Sequence, residues 1–489
     1  MMMDKDNLPK LPNGWEWTHL EFIGTIAAGG TPSTKEKKNF NGNIAWITPA
    51  DLTGFSGKYI SRGERNISTQ GLQTSSAKLL PAGTVLFSSR APIGYVVIAK
   101  NELATNQGFK NLSVNAAYIY NEYVFYYLKA SKRLAEKFAS GTTFLEISAS
   151  KFAKLPFPLP PLAEQKRIAD KIEELFTRLD KGVEELKKVK AEIKRYRQSV
   201  LKHAFEGRLT EEWRKENADK LEPASVLLEH IKEERKKTLA KKYKELPPVD
   251  TSTLPKLPKG WEWAQLGNVG IIKNGQTPKE LPKSSATGLI PFYKVADMNR
   301  IGSEKYMNDT EILLSEEKTK KLKIKVCQEG TIIFPKRGGA IATNKKRILV
   351  KPSAFDLNIM GFFPVVVSVM YTYYWFVSLD LGKLSDGSNV PQINNDDIAL
   401  LFISVPSIAE QNEIVSQIER HFSIADEVEQ AIDASLRQAE RLRQSILKRA
   451  FQGRLVPQDP NDEPASVLLE KIKKEKVGVN NVKKGGNHG

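Results

Sequence analysis

The segment Leu8-Pro-Lys-Leu-Pro-Asn-Gly-Trp-Glu-Trp17 returns 246 residues later as Leu254-Pro-Lys-Leu-Pro-Lys-Gly-Trp-Glu-Trp263. Self-similarity at one fixed distance constrains the fold more than any local pattern, because it commits the chain to building one unit twice. The spacing is kept by Thr31-Pro32 with Thr277-Pro278, and by Ala50-Asp51 with Ala296-Asp297. It is kept again by Ala163-Glu164-Gln165 with Ala409-Glu410-Gln411, and by Phe205-x-Gly207-Arg208-Leu209 with Phe451-x-Gly453-Arg454-Leu455. Pro-Ala-Ser-Val-Leu-Leu stands at 223–228 and again at 464–469. Between these anchors the halves diverge: Asn39 to Gly71 and the lysine-rich stretch 316–325 have almost nothing in common. Matches spread over nearly a whole half-chain mean duplication, with shared ends and helices and unlike middles.

At 489 residues the chain is too long for one ordinary core, and 40% hydrophobic with 27% charged residues is the balance of a soluble, folded protein. Each half has two textures. Residues 15–160 and 261–406 are rich in Gly, Thr, aromatic and β-branched residues. Within them Thr84-Val-Leu-Phe87, Tyr95-Val-Val-Ile98, Thr331-Ile-Ile-Phe334 and Pro364-Val-Val-Val367 read as buried strands bounded by turns. Around Tyr118 to Ala139 and Val369 to Leu384 the pattern turns helical. These are mixed α+β globules of about 145 residues, a normal domain size. Pro160-Pro161 and Pro406 then mark helix starts, with Glu164 and Glu410 in the first turn, where negative charge is favoured.

A long helix comes next in each half. Ile168, Leu175, Gly182, Val189 and Tyr196 are spaced by sevens, and Ile172, Leu179, Leu186, Ile193 and Val200 form a second such series. Together they give the 4-3 alternation of a coiled-coil seam over about five heptads. The second half keeps the register with Ile414, Val428 and Leu442 beside Ile418, Ile432 and Ile446. Its seam also carries His421, Ala425, Ser435 and Ala439, smaller or more polar than their counterparts. Large residues on one helix could fill space left by small ones on the other, so the two helices are expected to pair within one chain; homodimerisation is the alternative. A helix from 162 to 203 spans about 60 Å at ~1.5 Å per residue.

Three sets of residues stand out. They are the openings Leu11-Pro-x-Gly-Trp15 and Leu257-Pro-x-Gly-Trp261, and the hinges Pro158-Leu-Pro-Pro-Leu-Ala-Glu-Gln165 and Val405-Pro-Ser-Ile-Ala-Glu-Gln411. The third set is the helix exits Arg197-Gln-Ser-Val-Leu201 with Phe205-Glu-Gly-Arg-Leu209, and Arg443-Gln-Ser-Ile-Leu447 with Phe451-Gln-Gly-Arg-Leu455. Together, over almost the entire chain, they resemble the specificity (S) subunit of type I restriction–modification enzymes. Val405-Pro-Ser-Ile departs from the fuller proline-rich hinge of the first half.

The resemblance implies an α+β protein of two pseudo-repeated mixed α/β target-recognition domains separated by a long antiparallel coiled coil of two helical regions. Here the recognition domains would be 1–160 and 251–406, the central spacer 161–250, the distal spacer 407–476 and a flexible tail 477–489. Each domain would read one half of a bipartite, asymmetric site in double-stranded DNA. The helices would fix the spacing, about one duplex turn of ~34 Å or somewhat more, and dock two methyltransferase (M) subunits, with restriction (R) subunits joining that core. The chain itself is expected to be non-catalytic and to carry no cofactor, with S-adenosylmethionine, ATP and Mg on the partner subunits.

Charge points the same way independently. With 74 basic against 57 acidic residues, a net charge of +17 suits a polyanionic partner, although simple solubility would also produce an excess. Residues 15–160 carry 16 Lys/Arg against 9 Asp/Glu, and 261–406 carry 18 against 14. A sequence reader needs donors for base edges and cations for phosphates. The candidates in the first domain are Lys58, Arg62, Arg65, Ser89, Arg90, Asn106 and Gln107. In the second they are Lys294, Asn299, Arg300, Lys336, Arg337, Lys345, Lys346 and Arg347. Arg90 follows a strand and precedes the Pro92-x-Gly94 turn, and Arg337 is its counterpart by pattern. For the lysines phosphate contact is the better reading, because only arginine offers the bidentate fork that suits guanine. An ordinary solvated charge is the alternative for each. The loops Gly141-Thr-Thr and Gly387-Ser-Asn also repeat at 246, as DNA contacts or as caps of the next segment.

Catalytic signatures are missing. There is no G-x-x-x-x-G-K-[ST] loop, and Leu159-Pro-Pro-Leu162 and Leu246-Pro-Pro-Val249 lack the polar and aromatic flanks of an adenine-methyltransferase motif. His19, His203, His230, His421 and His488 show no metal spacing; His203 and His421 read as helix-packing residues. Glu164-Gln-Lys166 has the look of a nuclease pair but sits in a helix's first turn. The pairs Trp15/Trp17 and Trp261/Trp263 read as core anchors in preference to base-stacking platforms.

Cys327 alone excludes an internal disulfide and suits a reducing cytoplasm. No secretory or membrane-spanning segment is expected, so no membrane partner is expected either. Two functional classes remain open, sequence-specific recognition in this or a related methyltransferase–nuclease system and a coiled-coil scaffold holding nucleic acid without reading it; the missing motifs speak against a third, a self-contained nuclease or methyltransferase.

Overall fold

The computed structural model describes residues 8–141, 145–248, 250–281, 288–300 and 302–485, with side chains as far as 475. Thr142, Thr143, Val249 and His488 lie outside the described residues. The chain forms two compact units, one of the residues up to Leu186 with those from Asp433 on, the other of Lys187–Ile432.

In the first unit the strands run β1 (Glu16–His19), β2 (Gly24–Ala28), β3 (Phe40–Ile47), β4 (Tyr59–Ile60), β5 (Arg65–Ile67), β6 (Val85–Ser88), β7 (Val96–Ala99), β8 (Ala104–Thr105), β9 (Phe109–Val114) and β10 (Pro156–Leu159). Among them lie the helices α1 (Leu20–Ile23), α2 (Thr69–Gln73), α3 (Asn121–Ala130), α4 (Lys132–Phe138) and α5 (Ala149–Ala153), followed by α6 (Leu162–Phe205). A mixed five-stranded sheet has the order β2-β9-β6-β7-β4, a three-stranded one β5-β3-β8, and β1 pairs with β10. That last pair is antiparallel, with Glu16 opposite Leu159 and His19 opposite Pro156, so the end of the globule closes on its beginning. Two prolines are tolerated in β10 because a two-stranded ribbon leaves one side of each strand unpaired.

The second unit follows α6 with α7 (Glu211–Glu216) and α8 (Ala224–Leu239), and then repeats the plan. Its strands are β11 (Glu262–Gln265), β12 (Gly270–Asn274), β13 (Ile290–Tyr293), β14 (Tyr306–Met307), β15 (Leu313–Leu314), β16 (Ile332–Pro335), β17 (Arg347–Leu349), β18 (Ala354–Phe355), β19 (Ile359–Pro364) and β20 (Phe402–Val405). The helices are α9 (Leu266–Val269), α10 (Glu316–Lys321), α11 (Val369–Ser378), α12 (Asn395–Ala399) and α13 (Ile408–Phe451), whose end from Asp433 on belongs to the first unit, as does α14 (Ala465–Gly485). The sheet orders β12-β19-β16-β17-β14, β15-β13-β18 and β11-β20 match the first unit strand for strand. The unlike middles of the sequence therefore build the same scaffold, because β-strand pairing asks for apolar alternation and not for particular residues.

One expected strand is absent. Pro364 ends β19, and Val365–Val367 form a bend in which Val366 has φ +65. Val365 and Val367 are buried, so the run is apolar to fill a core, and it turns because Ser368 must begin α11 as its N-cap.

The repeated Ala-Glu-Gln motif closes each module on its long helix. Glu164 accepts the Trp15 indole N–H at 2.9 Å and Glu410 that of Trp261 at 2.8 Å. Gln165 Oε1 accepts from Tyr120 N at 2.8 Å while its Nε2 donates to Pro160 O at 3.1 Å. Gln411 does the same with Ser368 N at 2.9 Å and Pro406 O at 3.0 Å. Trp17 and Trp263 donate to Pro9 O and Pro255 O, so all four tryptophans of the repeated openings tie the chain to itself. Each core is shared: Ile168 and Ile172 of α6 and Leu447 of α13 pack with Phe87, Tyr123 and Phe157 in the first unit. In the second, Ile414 and Ile418 of α13 and Leu201 of α6 pack with Phe334 and Phe376.

Within each unit the beginning of one long helix lies along the end of the other. Arg443 stands over the Phe176 ring at 5.1 Å and pairs with Asp180 in the first unit. In the second, Arg197 stands over Phe422 at 5.9 Å and pairs with Asp426 at 2.6 Å. Each pair is 246 residues from the other, so the two helices run in opposite directions. Ile172, Ile193, Ile414, Ile418 and Ile432 are buried, as are Ala425 and Ala439. Ile168 is buried, and Leu175, Leu179, Leu186 and Ile446 are partly so, whereas Val189, Val428 and Leu442 are about two-fifths exposed. His421 bonds the Tyr196 hydroxyl at 2.7 Å, a packing role. Among the described residues no helix is long and apolar enough to cross a membrane.

Candidate nucleic-acid interface

Arg90 leaves the end of β6, the central strand of the five-stranded sheet, where Ser89 N donates to Gly108 O at 2.7 Å. Ser89 is fully buried, and its hydroxyl receives Lys110 Nζ at 3.0 Å. Lys110, itself buried, also reaches Glu146 at 3.2 Å, and the same carboxylate holds Arg90 at 3.4 Å. Glu146 belongs to the segment after Gly141, whose Ile147 N donates to Ser89 O at 3.1 Å. A buried lysine, a shared carboxylate and a strand end therefore fix the root of Arg90 while leaving part of its fork in solvent.

Asn106 and Gln107 form the turn between β8 and β9 at the same sheet end. Asn106 Oδ1 accepts from Gly108 N at 2.9 Å, and Gln107 bonds Thr31 of the repeated Thr-Pro pair. Gly29 lies beneath: a Cβ there would fall 2.0 Å from the Asn106 carbonyl oxygen, so only glycine admits the approach. Its counterpart Gly275 would meet the Asp356 carbonyl oxygen at 1.8 Å.

In the second module Lys336 and Arg337 leave β16 in the same way. Lys336 N donates to Asn358 O at 2.8 Å, and Gly338 N and Ile393 N tie the strand end to the segment after Gly387. Lys336 Nζ donates to Asn274 Oδ1 at 2.7 Å, and burial, then the Arg337 charge, lower its pKa. Asp386 fastens that segment by accepting from Ser388 N and Gln392 N, which holds its carboxyl below the usual range. Arg337 is exposed, with no ion pair among the described residues.

The structure thus gathers Ser89, Arg90, Asn106 and Gln107 at one sheet end and Lys336 with Arg337 at the equivalent end. The other candidates go elsewhere. Arg62 and Arg65 are exposed near the three-stranded sheet. Lys294 is half-buried, and Lys345 bonds Asn299. Arg300 is surrounded by Asp297, Glu311 and Asp309 at 2.9, 2.8 and 3.3 Å, so its charge is neutralised on the spot. Lys346 and Arg347 face inward where β17 is enclosed by β16 and β14: Lys346 Nζ donates to Leu379 O at 2.7 Å, and Arg347 donates to Met298 O at 3.1 Å. Burial pushes the Lys346 ammonium down to about 8 against the opposing pull of Asp380. Lys58 points to α6 and bonds Glu122 and Glu173 at 2.7 and 2.9 Å.

Sequence reasoning passed over Lys110 and Glu146, which brace Arg90, and Asn274 and Asn358, which bond Lys336 next to Arg337. No spacing rule links them; only the fold brings them to one sheet end. Among the described residues no group of three or more His, Cys, Asp or Glu could hold a metal ion.

The family model for the type I restriction modification DNA specificity domain matches residues 12–195 and again 258–438. The chain is 29% identical over 415 residues to the type I restriction enzyme MjaIX specificity subunit of Methanocaldococcus jannaschii, covering 82% of this chain and 85% of that one. It is 24% identical over 495 residues to the EcoKI specificity subunit of Escherichia coli strain K12, covering 96% and 97%. Among solved structures, a chain of a type I R-M system superposes with a TM-score of 0.64 at 20% identity, over 92% of this chain and all of that one. The HsdS subunit from Thermoanaerobacter tengcongensis superposes with a TM-score of 0.55 at 18% identity over the same shares.

Proposed function

Because this chain belongs to the family of type I restriction–modification DNA specificity subunits, we propose that its two modules read the two halves of one bipartite, asymmetric DNA site. It is a recognition subunit and not the catalyst. Its partners are double-stranded DNA, two methyltransferase subunits docked on the helices, and restriction subunits, with S-adenosylmethionine, ATP and Mg held by those partners. The recognition domains of this reading are residues up to 160 and 251–406, with helical spacers at 161–250 and 407–476. The cytoplasm is its place of work, in keeping with a single, buried cysteine.

The observation that carries the reading is one strand end built twice with unlike surroundings. Arg90 projects beside Glu146 and Lys110, and Arg337 follows Lys336, which is held by Asn274, on sheets of the same strand order. A fixed scaffold with exchangeable side chains at one edge is what two different half-sites require, since base edges are told apart by donor and acceptor pattern. The proposed readers are Arg90, Arg337, Asn106 and Gln107, with Lys336, Arg62, Arg65, Lys294, Asn299 and Lys345 as phosphate or flanking contacts; Ser89, buried with its hydroxyl bonded to Lys110 and Gly108, seats Arg90 and does not reach a base.

The test replaces residues 15–160 by the same module of a relative with another target and maps methylated sites in a host carrying the hybrid with its methyltransferase. One half of the methylated sequence should change and the other stay. A change in both halves, or in neither, contradicts the modular reading.

A further inference from the structure

A lysine at the start of the outermost strand of each five-stranded sheet reaches the long helix through a wall of tyrosines. In the first unit Lys58, just before β4, bonds Glu122 of α3 and Glu173 of α6, and its ammonium lies 5.6 Å from the Tyr59 ring and 5.7 Å from the Tyr126 ring. Tyr59 bonds Glu122, and Tyr126 bonds Glu173. In the second unit Lys305, just before β14, bonds Glu419 of α13 at 2.8 Å and the Tyr374 hydroxyl of α11 at 3.2 Å, with the Tyr306, Tyr373 and Tyr374 rings at 5.5, 5.8 and 5.1 Å.

Each node continues into the helix pair. Tyr126 packs edge-on against Phe176 at 5.9 Å, and Tyr374 against Phe422 at 5.8 Å. Those two phenylalanines are the rings on which Arg443 and Arg197 of the opposite helix rest. The glutamate and phenylalanine stand at i and i+3 on each helix, hence on one face. The nodes persist although the strands they start lie in the divergent middles, and they are unequal: Glu122 of the first has Met370 in its place in the second, where Tyr306 bonds the sulfur at 3.7 Å.

We infer that Lys58 with Glu173, and Lys305 with Glu419, are positioning residues that hold each recognition sheet at one angle to the helix pair, and so make the complex strict about the gap between half-sites. The inference rests on the bipartite reading above. A charge bonded within aromatic walls is more directional than an apolar contact, because a shift of about 1 Å breaks a hydrogen bond but not a van der Waals surface. Neither lysine contacts DNA in this account.

The test uses the full chain with its methyltransferase in a host whose methylated sites are mapped. Lys58→Met, Glu173→Gln and Lys305→Met are compared with the wild type at sites whose two halves are intact but whose gap is one base pair longer or shorter. Each variant should raise methylation at off-gap sites relative to on-gap sites by about tenfold, which corresponds to about 1.4 kcal/mol of lost restraint. Base preferences in both halves should stay unchanged, and Lys58→Arg should remain strict. If Lys58→Met does not fold, Glu173→Gln, altered at a half-exposed side chain, decides the first node. Unchanged strictness in variants that still methylate would overturn the inference, and so would an altered base preference, which would make the lysine a reader. A wild type with no constant gap would overturn the bipartite reading itself.

Discussion

Glu410 receives three donors in a buried site, the Trp261 indole at 2.8 Å, Arg214 Nε at 2.7 Å and the Thr210 hydroxyl at 2.8 Å. Its repeat partner Glu164 receives the Trp15 indole alone, and its Oε1 is buried without a partner among the described residues. The arginine is supplied in the second unit by α7, whereas in the first unit the arginine whose charge acts on Glu164 is Arg167, which pairs with Asp462 instead. Duplication copied the tryptophan–glutamate bond but not the charge that neutralises it.

Glu164 should therefore weaken its unit as pH rises. Burial raises its pKa above the ordinary 4.5, against the Trp15 bond and the Arg167 charge. Between the unfolded value and the raised folded one the native state binds more protons than the unfolded state, so stability falls with rising pH and the penalty is full above both. Glu164→Gln keeps an acceptor for Trp15 and removes the charge. It should raise the first unit's melting temperature at pH 7 more than at pH 4.5, as read by calorimetry. Glu410→Gln should instead destabilise the second unit by about 1–3 kcal/mol, since it leaves Arg214 without its carboxylate. Equal effects of the two substitutions at pH 7 would refute the asymmetry.

Burial along the long helices sorts the heptad positions into two classes. Ile193 is 8% exposed and Val189, four residues before it, is 42% exposed. Ile193→Ala should cost about 2–4 kcal/mol in the helix-monitored transition through the cavity it leaves. Val189→Ala should stay within about 0.5 kcal/mol. Comparable losses at both positions would mean that the two series share the seam equally.

Much of the architecture is legible in the sequence because it is written in periods. The offset of 246, the heptads from Ile168 to Val200 and the proline hinges are one-dimensional signals, and each has a one-dimensional reading. The fate of the charges is different in kind. Lys58 finds its partners 64 and 115 residues away, and a charge count cannot tell it from Arg62, which is exposed. Lys346 and Arg347 look like a surface run until β17 is placed between two neighbours. Pro364–Val367 has the composition of a strand, and only the need to start α11 at Ser368 bends it. The pairing of Lys58-Tyr59 with Lys305-Tyr306, at a spacing of 247, was the available clue to the helix-facing lysines.

The last helix completes the first module. Ala465 N donates to Gly14 O at 2.9 Å, as Ala224 N of α8 donates to Gly260 O at 2.9 Å in the second. Leu468 and Ile472 are buried, and Gly453, with φ +65, passes so close to Pro12 that a Cβ would meet its ring at 2.2 Å. Ending the chain after Glu463 should remove Leu468 and Ile472, whose burial is worth about 1.5–3 kcal/mol each, and uncover the apolar surface they pack against. Hydrogen exchange should accelerate over residues 14–23 and stay unchanged over 260–269. Acceleration in both segments, or in neither, would show that α14 does not serve the first module alone.

Arg337 is the most informative single position for recognition, because it combines exposure, a braced root and the bidentate fork. Arg337→Ala should weaken specific binding by about 1–3 kcal/mol and relax one base pair of the half-site read by the second module, leaving the other half intact. Arg337→Lys should restore part of the affinity but not the discrimination, since an ammonium is a point charge without the planar fork. Arg90→Ala should act on the other half in the same manner. The comparison must be made at one salt concentration, because the phosphate contribution falls steeply with ionic strength. Uniform weakening over all sequences, with a shallower salt slope, would identify a phosphate contact in place of base readout. No change in affinity or preference would take Arg337 out of the interface altogether.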